Sequence, residues 1–271
     1  VNIITGWIVF AIASLVYLLT IEPTTSFWDC GEFIATAFHL EVGHPPGAPL
    51  FMMLGQFFAL FAFGNLEAVP VTMNVLSALA SGFTILFLFW SVTHLARKLF
   101  SDKKELSLAE NLIVIGAGLV GALSYTFTDS FWFSAVEAEV YSLSALFPAV
   151  VFWAILKWEN VANEPYSNRW LILIAFLMGL SVGVHILNLL ALPAMVLVYY
   201  FKKYTFSIKG FLLAIGASFL LIIIMLSGVI QLTIKLAMGF ELFFTNTVGL
   251  PYHFGAMIFI LLLIAGLTFV I

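Results

Sequence analysis

The sequence predicts an all-α, polytopic transmembrane protein, and three observations carry that prediction. Of 271 residues, 63% are hydrophobic and only 9% are charged, against roughly 45 to 50% and about 25% in an ordinary soluble domain. Long stretches almost free of charge recur along the whole chain, most of them near the roughly 20 residues that a helix needs to cross a bilayer. Twenty-nine Phe and seven Trp suit a lipid-facing surface with aromatic belts at its edges. Six to eight crossings at about 20 residues each leave short loops and no room for a separate soluble domain, so residues 1–271 read as one transmembrane module.

The apolar stretches are 3–21, 48–63, 70–95, 112–128, 140–156, 170–201, 211–231 and 254–271. The first has no basic segment before it and no small-residue cleavage site after it, so it is a span and not a signal peptide. Both ends of the sequence lie inside apolar runs, and the expectation is the membrane part of a longer protein. Stretch 48–63 follows His44-Pro45-Pro46-Gly47 and has only 16 residues, a length at which interfacial helices compete with spans. Stretch 170–201 would be about 48 Å long as one helix, against a bilayer core of about 30 Å. It carries Gly179, Gly183, His185, Asn188 and Pro193, so two short helices broken near 183–185 fit better.

Charge counting supports the break, because Lys and Arg near span ends stay on the cytoplasmic side. With 170–201 broken, Arg97, Lys98, Lys103, Lys104, Lys157, Arg169, Lys202, Lys203 and Lys209 share one side and Lys235 alone lies opposite. The opposite, exoplasmic side then holds a long first loop, 22–69, with 48–63 as an interfacial helix, the segment 128–139, and a last loop from about 231 to 253. Counting cannot decide whether 48–63 crosses, since no Lys or Arg precedes Arg97.

The balance of ten Lys and Arg against fourteen Asp and Glu, a formal charge of -4, leaves no basic block to line up on phosphates and excludes nucleic-acid binding. The single cysteine, Cys30, excludes an internal disulfide and a cysteine-based zinc site. No P-loop, G-x-G-x-x-G or G-x-S-x-G motif occurs, so nucleotide use and serine-hydrolase chemistry have no support.

The stretch TTSFWDCGEFIATAFHLEVGHPPG holds the most chemistry. Asp29 and Glu32, three apart, share a face of a helix, and His39, Glu41 and His44 follow within reach of the same surface. Charged groups at a membrane boundary, beside Phe27, Trp28 and Phe33, are costly to desolvate and point to function. The structural alternative is a cap, with Ser26 as N-cap and Asp29 at the third helical position. The second cluster, DSFWFSAVEAEVYS, carries Asp129, Glu137 and Glu139. The last two converge only if they are extended and precede a helix starting near Val140; the alternative is a helix-dipole role. His185 and Asn188 either face a cavity or hydrogen-bond between helices. Lys235, Asn246, Tyr252 and His253 fall in the expected last loop. A divalent metal on these histidines and carboxylates has weak support, because no H-x-x-x-H or H-E-x-x-H spacing is present.

The order of these parts, a span, a long acidic loop, a short helix after a Pro-Pro motif, a span and a second acidic loop, resembles the GT-C superfamily of membrane glycosyltransferases. The segment PTTSFWDCGEFIATAFHLEVGHPPGAPLF is similar to the signature of a Bacteroidota family of unknown-function membrane proteins related to an animal protein O-mannosyltransferase. The resemblance implies a multi-pass protein of a bacterial inner membrane, active on its exoplasmic, periplasmic face. It implies transfer of a sugar such as mannose from a polyprenyl-phosphate donor, held among membrane lipids, to a protein hydroxyl or other envelope acceptor. By motif it makes Asp29 the catalytic base, with Glu32, Glu137 and Glu139 as further catalytic candidates. His39, His44, His185, Asn188, Lys235 and His253 are candidates for substrate binding. GT-C enzymes often hold the lipid phosphate with Arg or Lys, and here the exoplasmic side offers only Lys235, with the histidines as substitutes. A transporter or lipid flippase and a non-catalytic envelope subunit are the competing readings; no internal repeat favours the transporter.

Overall fold

In a bilayer core no water is present to take up free N–H and C=O groups, so an apolar chain must close its backbone hydrogen bonds internally, as a helix does. In the computed structural model, which describes residues 1–100, 103 and 105–270, every regular element described is a helix. Six helical stretches among the described residues are long and apolar enough to cross a membrane, as an all-α polytopic membrane protein requires. Lys104, counted above among the basic residues, lies outside the described residues.

The chain forms two compact units that divide after Thr205. The first begins with α1 (Asn2–Leu19), followed by the short helices α2 (Cys30–His39) and α3 (Pro49–Ala59), the latter extended by one 3-10 turn, Leu60–Ala62. The long α4 (Val69–Lys98) comes next, then α5 (Leu108–Thr126), short α6 (Asp129–Ala135), α7 (Val140–Val161) and α8 (Asn168–Val182). A 3-10 turn, Ile186–Ala191, leads into α9 (Leu192–Lys203).

Helix α4 is the hub, packed against α1, α5 and α7. Among its buried residues Ser77, Ala78, Ala80, Ser81 and Gly82 are small and let helix backbones approach where lipid gives no hydrophobic drive between them. The approach is close: a Cβ on Gly82 would stand 2.1 Å from Ser14 Oγ of α1. One on Gly118 of α5 would stand 2.5 Å from Thr93 and 2.8 Å from the Phe89 ring.

Two cores result. One, around Val9, Ala13, Tyr17, Ile85, Phe89 and Phe131, joins α1, α4, α5 and α6. The other, around Phe33, Phe51, Met52, Met73, Leu143 and Val184, seats α2 and α3 on α4 and α7. Buried Asn74 of α4 holds the loop after α1 by donating from Nδ2 to the carbonyls of Glu22 (2.7 Å) and Thr24 (3.1 Å).

The apolar stretch 170–201 is two helices, with the break at Gly183, Val184 and His185. Asn188 secures the break: its Oδ1 accepts from Ser144 of α7 at 2.7 Å, and its Nδ2 donates to the Ser181 carbonyl at 3.2 Å.

The first residues of α1 lie with Arg97, Lys98 and Lys157 around one cavity, so α1 starts at the end of the unit where α4 finishes. Helices α1 and α4 therefore run in opposite directions, and α2 and α3 between them fall short of a full crossing. At about 1.5 Å per residue, neither is long enough to make one.

The second unit runs from Phe206 and departs from expectation. The last loop was expected from about 231, but α10 (Ile208–Ile223) continues through a π-helical stretch, Ile224–Gln231, into α11 (Leu232–Phe243) and a second π-helical stretch, Phe244–Val248. One Gln and one Lys cannot stop an apolar helix that contains no proline; the stop comes at Gly249 (φ 81°) and Pro251. Lys235 is accordingly a helical residue of α11 and not a loop residue. The closing helix is α12 (Phe254–Val270). The Glu241 carboxylate receives the backbone N–H groups of His253 (2.6 Å) and Ala256 (3.0 Å), satisfying donors that a helix start leaves open.

Candidate active site

At the end of the first unit away from the basic residues, the loop after α1, the start of α2, the turn before α3, the start of α7 and the break after α8 meet. They enclose a narrow cleft of about 80 Å³. Asp29, His44, Glu139, Tyr141 and His185 line it.

Helix α2 begins at Cys30, with Asp29 as its N-cap residue in αR geometry and no side-chain hydrogen bond to the helix. The expected cap, Ser26 with Asp29 inside the helix, is not formed. Ser26 instead lies beside the Glu137 carboxyl, and the chain turns sharply at Trp28, whose φ of 62° is unusual for a bulky residue. Phe27 and Trp28 are 83% and 89% exposed, a pair of aromatic faces beside Asp29.

The chain reverses at Leu40, the left-handed C-cap of α2 (φ 53°), and so brings His44 back over α2 before the turn His44-Pro45-Pro46-Gly47 leads on to α3. Its backbone N–H donates to Glu32 Oε1 at 2.6 Å, and Nδ1 lies 3.1 Å from Oε2 of the same carboxylate. Its Nε2 is 4.0 Å from Asp29 Oδ2. One ligand atom from each of Asp29, Glu32 and His44 lies within 4.8 Å of the others, a set of hard oxygen and nitrogen donors of the type that takes a divalent cation. The His44 bonds, backbone first, hold the Glu32 carboxyl below its usual range, and Glu32 in turn raises the His44 imidazole above its own. His44 is thereby biased toward its cationic form beside Asp29.

Glu139 is the N-cap of α7, extended at φ −127° and ψ 156°, with α7 starting at Val140. Glu137 and Glu139 are both buried, 5% exposed each, and both approach the Cys30 thiol, which is 4.0 Å from Glu139 Oε1. Burial is the main cause that raises both carboxyls, Glu139 to about 7. Near neutral pH Glu139 therefore exchanges readily between acid and carboxylate.

The remaining sequence candidates fall as follows. His185 lines the cleft, with its Nδ1 accepting from Leu187 N–H at 3.3 Å and its ring 6.0 Å from that of Tyr141. Asn188 is buried and uses its amide to hold the helix break. His39 ends α2 with its ring against Phe38, outside the Asp29, Glu32 and His44 group. Asp129 is exposed in the first turn of α6. Lys235 and His253 belong to the second unit. Sequence reasoning missed Ser26, Cys30 and Tyr141 as members of the cleft region; a buried cysteine beside two carboxylates has no short-range sequence signal.

A helical membrane protein with a carboxylate and histidine cleft at one end of its bundle is the class that fold and site define. The chain belongs to the family described as the protein O-mannosyl-transferase TMEM260 N-terminal domain, whose model matches residues 29–208, from Asp29 through the cleft to the start of the second unit. It is 29% identical over 174 residues to protein O-mannosyl-transferase TMEM260 of Mus musculus, covering 64% of this chain and 22% of that protein. It is 25% identical over 166 residues to protein O-mannosyl-transferase tmem260 of Dictyostelium discoideum, covering 60% of this chain and 18% of that protein. The match thus spans about a fifth of the length of either relative. No solved structure matches the chain significantly.

Proposed function

We propose that this chain is the membrane-embedded catalytic part of a GT-C-type glycosyltransferase that moves a sugar, mannose by analogy with its relatives, from a polyprenyl-phosphate carrier to a protein hydroxyl. The observation that supports it is the cleft itself: Asp29 reaches it with a carboxylate unused by the helix it caps, 4.0 Å from the His44 ring. A lipid-linked donor keeps its tail in the bilayer and its reacting carbon at the membrane boundary, which is where a carboxylate beside exposed aromatic residues can meet it. Asp29 takes the proton of the acceptor hydroxyl as that oxygen attacks the anomeric carbon. The bond from that carbon to the phosphate oxygen breaks, and polyprenyl phosphate leaves. One displacement inverts the anomeric configuration.

His44, biased to its cation by Glu32, and His185 on the same cleft are suited to the leaving phosphate, in place of the Arg or Lys of other GT-C enzymes. The cleft volume is far below the roughly 300–1,000 Å³ of a typical ligand pocket, so it receives the reacting atoms while the sugar lies at its mouth over Phe27 and Trp28. The cleft faces the exoplasmic side, the periplasm of a bacterial inner membrane, because the basic residues of the first unit gather at its other end.

The test is transfer from a radiolabelled polyprenyl-phosphate sugar by the purified full-length protein and its Asp29→Asn variant. Asn cannot accept a proton at neutral pH, and a lost general base costs about 10² to 10⁴ in rate. Because Asp29 makes no capping bond with its side chain, thermal stability is expected to stay within about 0.5 kcal/mol of wild type. An Asp29→Asn protein that retained most of its activity would move the base to Glu139 or Glu137. A wild type that transferred no sugar from any such carrier would remove the enzyme reading.

A further inference from the structure

A cavity of about 930 Å³ lies at the opposite end of the first unit from the cleft. The first turn of α1, the last turns of α4 and α7 and the start of α5 enclose it. Its lining is divided. Val114 and Ile115 of α5 form an apolar wall, while Arg97, Lys98 and Lys157 bring positive charge to the rim. Only part of that charge is answered. Lys98 is paired with Glu159. Arg97 is braced by backbone carbonyls, its two terminal nitrogens donating to Phe100 and Lys103 at 2.5 Å each, which fixes the guanidinium without neutralising it. The Lys157 ammonium stands over the Trp153 ring, 5.4 Å from its centroid, and has no carboxylate partner among the described residues.

We propose that this cavity is a binding site for an anionic phospholipid, with Lys157 and Arg97 on the headgroup phosphate and the α5 wall against the glycerol and the first methylenes. Size, charge and position support it together. The volume falls within the range of sites that enclose a ligand. Two cations without carboxylate partners among the described residues attract an anion, and a basic recess between helices at the end of their apolar lengths lies where lipid phosphates are. The amphipathic lining distinguishes a lipid from a soluble anion, since phosphate alone would use the cations and leave the apolar wall uncovered. The site is separate from the proposed sugar-transfer cleft and requires no assumption about the reaction.

Native mass spectrometry of the full-length protein, released from detergent with phosphatidylglycerol or phosphatidylcholine of equal chain length, tests the assignment. Phosphatidylglycerol should be retained in preference to phosphatidylcholine. Lys157→Gln should lower that retention about fivefold, the effect of one cation at a lipid surface, and Lys157→Arg should restore it. Lys202→Gln, which removes the same charge from α9 away from the cavity, should change nothing. Titration of the wild type alone, followed by its thermal midpoint, covers a Lys157 variant that fails to fold; phosphatidylglycerol should raise the midpoint where phosphatidylcholine does not. Equal retention of the two lipids, equal loss in Lys157→Gln and Lys202→Gln, or full competition by millimolar inorganic phosphate would each overturn the proposal.

Discussion

At the scale of single residues, the chemistry of the cleft depends on where charge is held and where it is suppressed. Glu32 and His44 face solvent and stabilise each other's ionised forms, while Glu137 and Glu139 are enclosed and resist ionisation. The second pair has a consequence for stability. Glu139 titrates at about 7 in the fold against 4.5 for the free side chain, so between those values the native state holds more protons than the unfolded state. Stability then falls as pH rises through that window. The expected result is a thermal midpoint that drops from pH 5 to pH 7.5 in the wild type and drops less in Glu139→Gln. The amide retains the oxygen that accepts from Val140 N–H and carries no titratable proton. Parallel profiles for the two proteins would show that Glu139 is ordinary in the fold. Cys30 gives a second test at this scale. It is 1% exposed, and burial with two neighbouring carboxylates raises its thiol well above the usual range. Since the thiolate is the reactive form, Cys30 should resist maleimide at pH 7.5 in the folded protein and react fully in denaturant.

At the scale of elements, the cleft depends on the break between α8 and α9, because that break carries His185 and supports α3. The Gly183 carbonyl accepts from Leu50 N–H at 2.8 Å, and a Cβ on Gly183 would meet Leu50 Cβ at 3.1 Å and the Leu180 carbonyl at 3.2 Å. Gly183→Val should therefore push α3 off the break and cost about 1–3 kcal/mol, the range for overpacking a tight site. Gly179→Val, where nothing lies within 4 Å of an added Cβ, should cost much less; equal shifts in thermal midpoint would contradict this packing.

How much of this was legible in the sequence follows the range of the forces. Gly183 and Pro193 inside an overlong apolar run announced the break, and the spacing of Glu137 and Glu139 left two readings open, of which the structure shows Glu139 extended at the start of α7 and Glu137 in the bend before it. Ser26 could not. Its neighbour Glu137 is 111 positions away in sequence, and locally Ser26 has the pattern of an N-cap. The return of His44 onto Glu32 was legible only as proximity, because its direction depends on the left-handed backbone at Leu40. The long helix of the second unit was misread because Gln231 and Lys235 look like a loop to hydropathy, whereas helix termination needs a backbone cause such as Gly249 or Pro251.

At the scale of the whole molecule, parity and charge decide which side of the membrane the cleft meets. In the first unit α1 leaves from the end where α4 returns, and α2 and α3 stay at the other end with the cleft. Val42 and Phe63 flank α3 and are 89% and 90% exposed, so they report its topology directly: they share a side if α3 does not cross and take opposite sides if it does. Leu99, 80% exposed, and Glu164, also exposed, mark the basic end. Glu137 is a poor reporter despite its place near the cleft, because its side chain is enclosed. Single cysteines at 42, 63, 99 and 164 in a Cys30→Ser background, treated in intact cells with a membrane-impermeant maleimide, should label at 42 and 63 and remain protected at 99 and 164 until the membrane is permeabilised. The driving term is the retention of Lys and Arg on the cytoplasmic side, to which Arg97, Lys98, Lys157 and Lys203 all contribute at one end of the helices. Labelling at 63 with protection at 42 would make α3 a span and contradict the parity of the fold. Labelling at 99 and 164 with protection at 42 and 63 would leave the fold intact and turn it over, placing the Asp29 cleft in the cytoplasm and removing the exoplasmic assignment of sugar transfer.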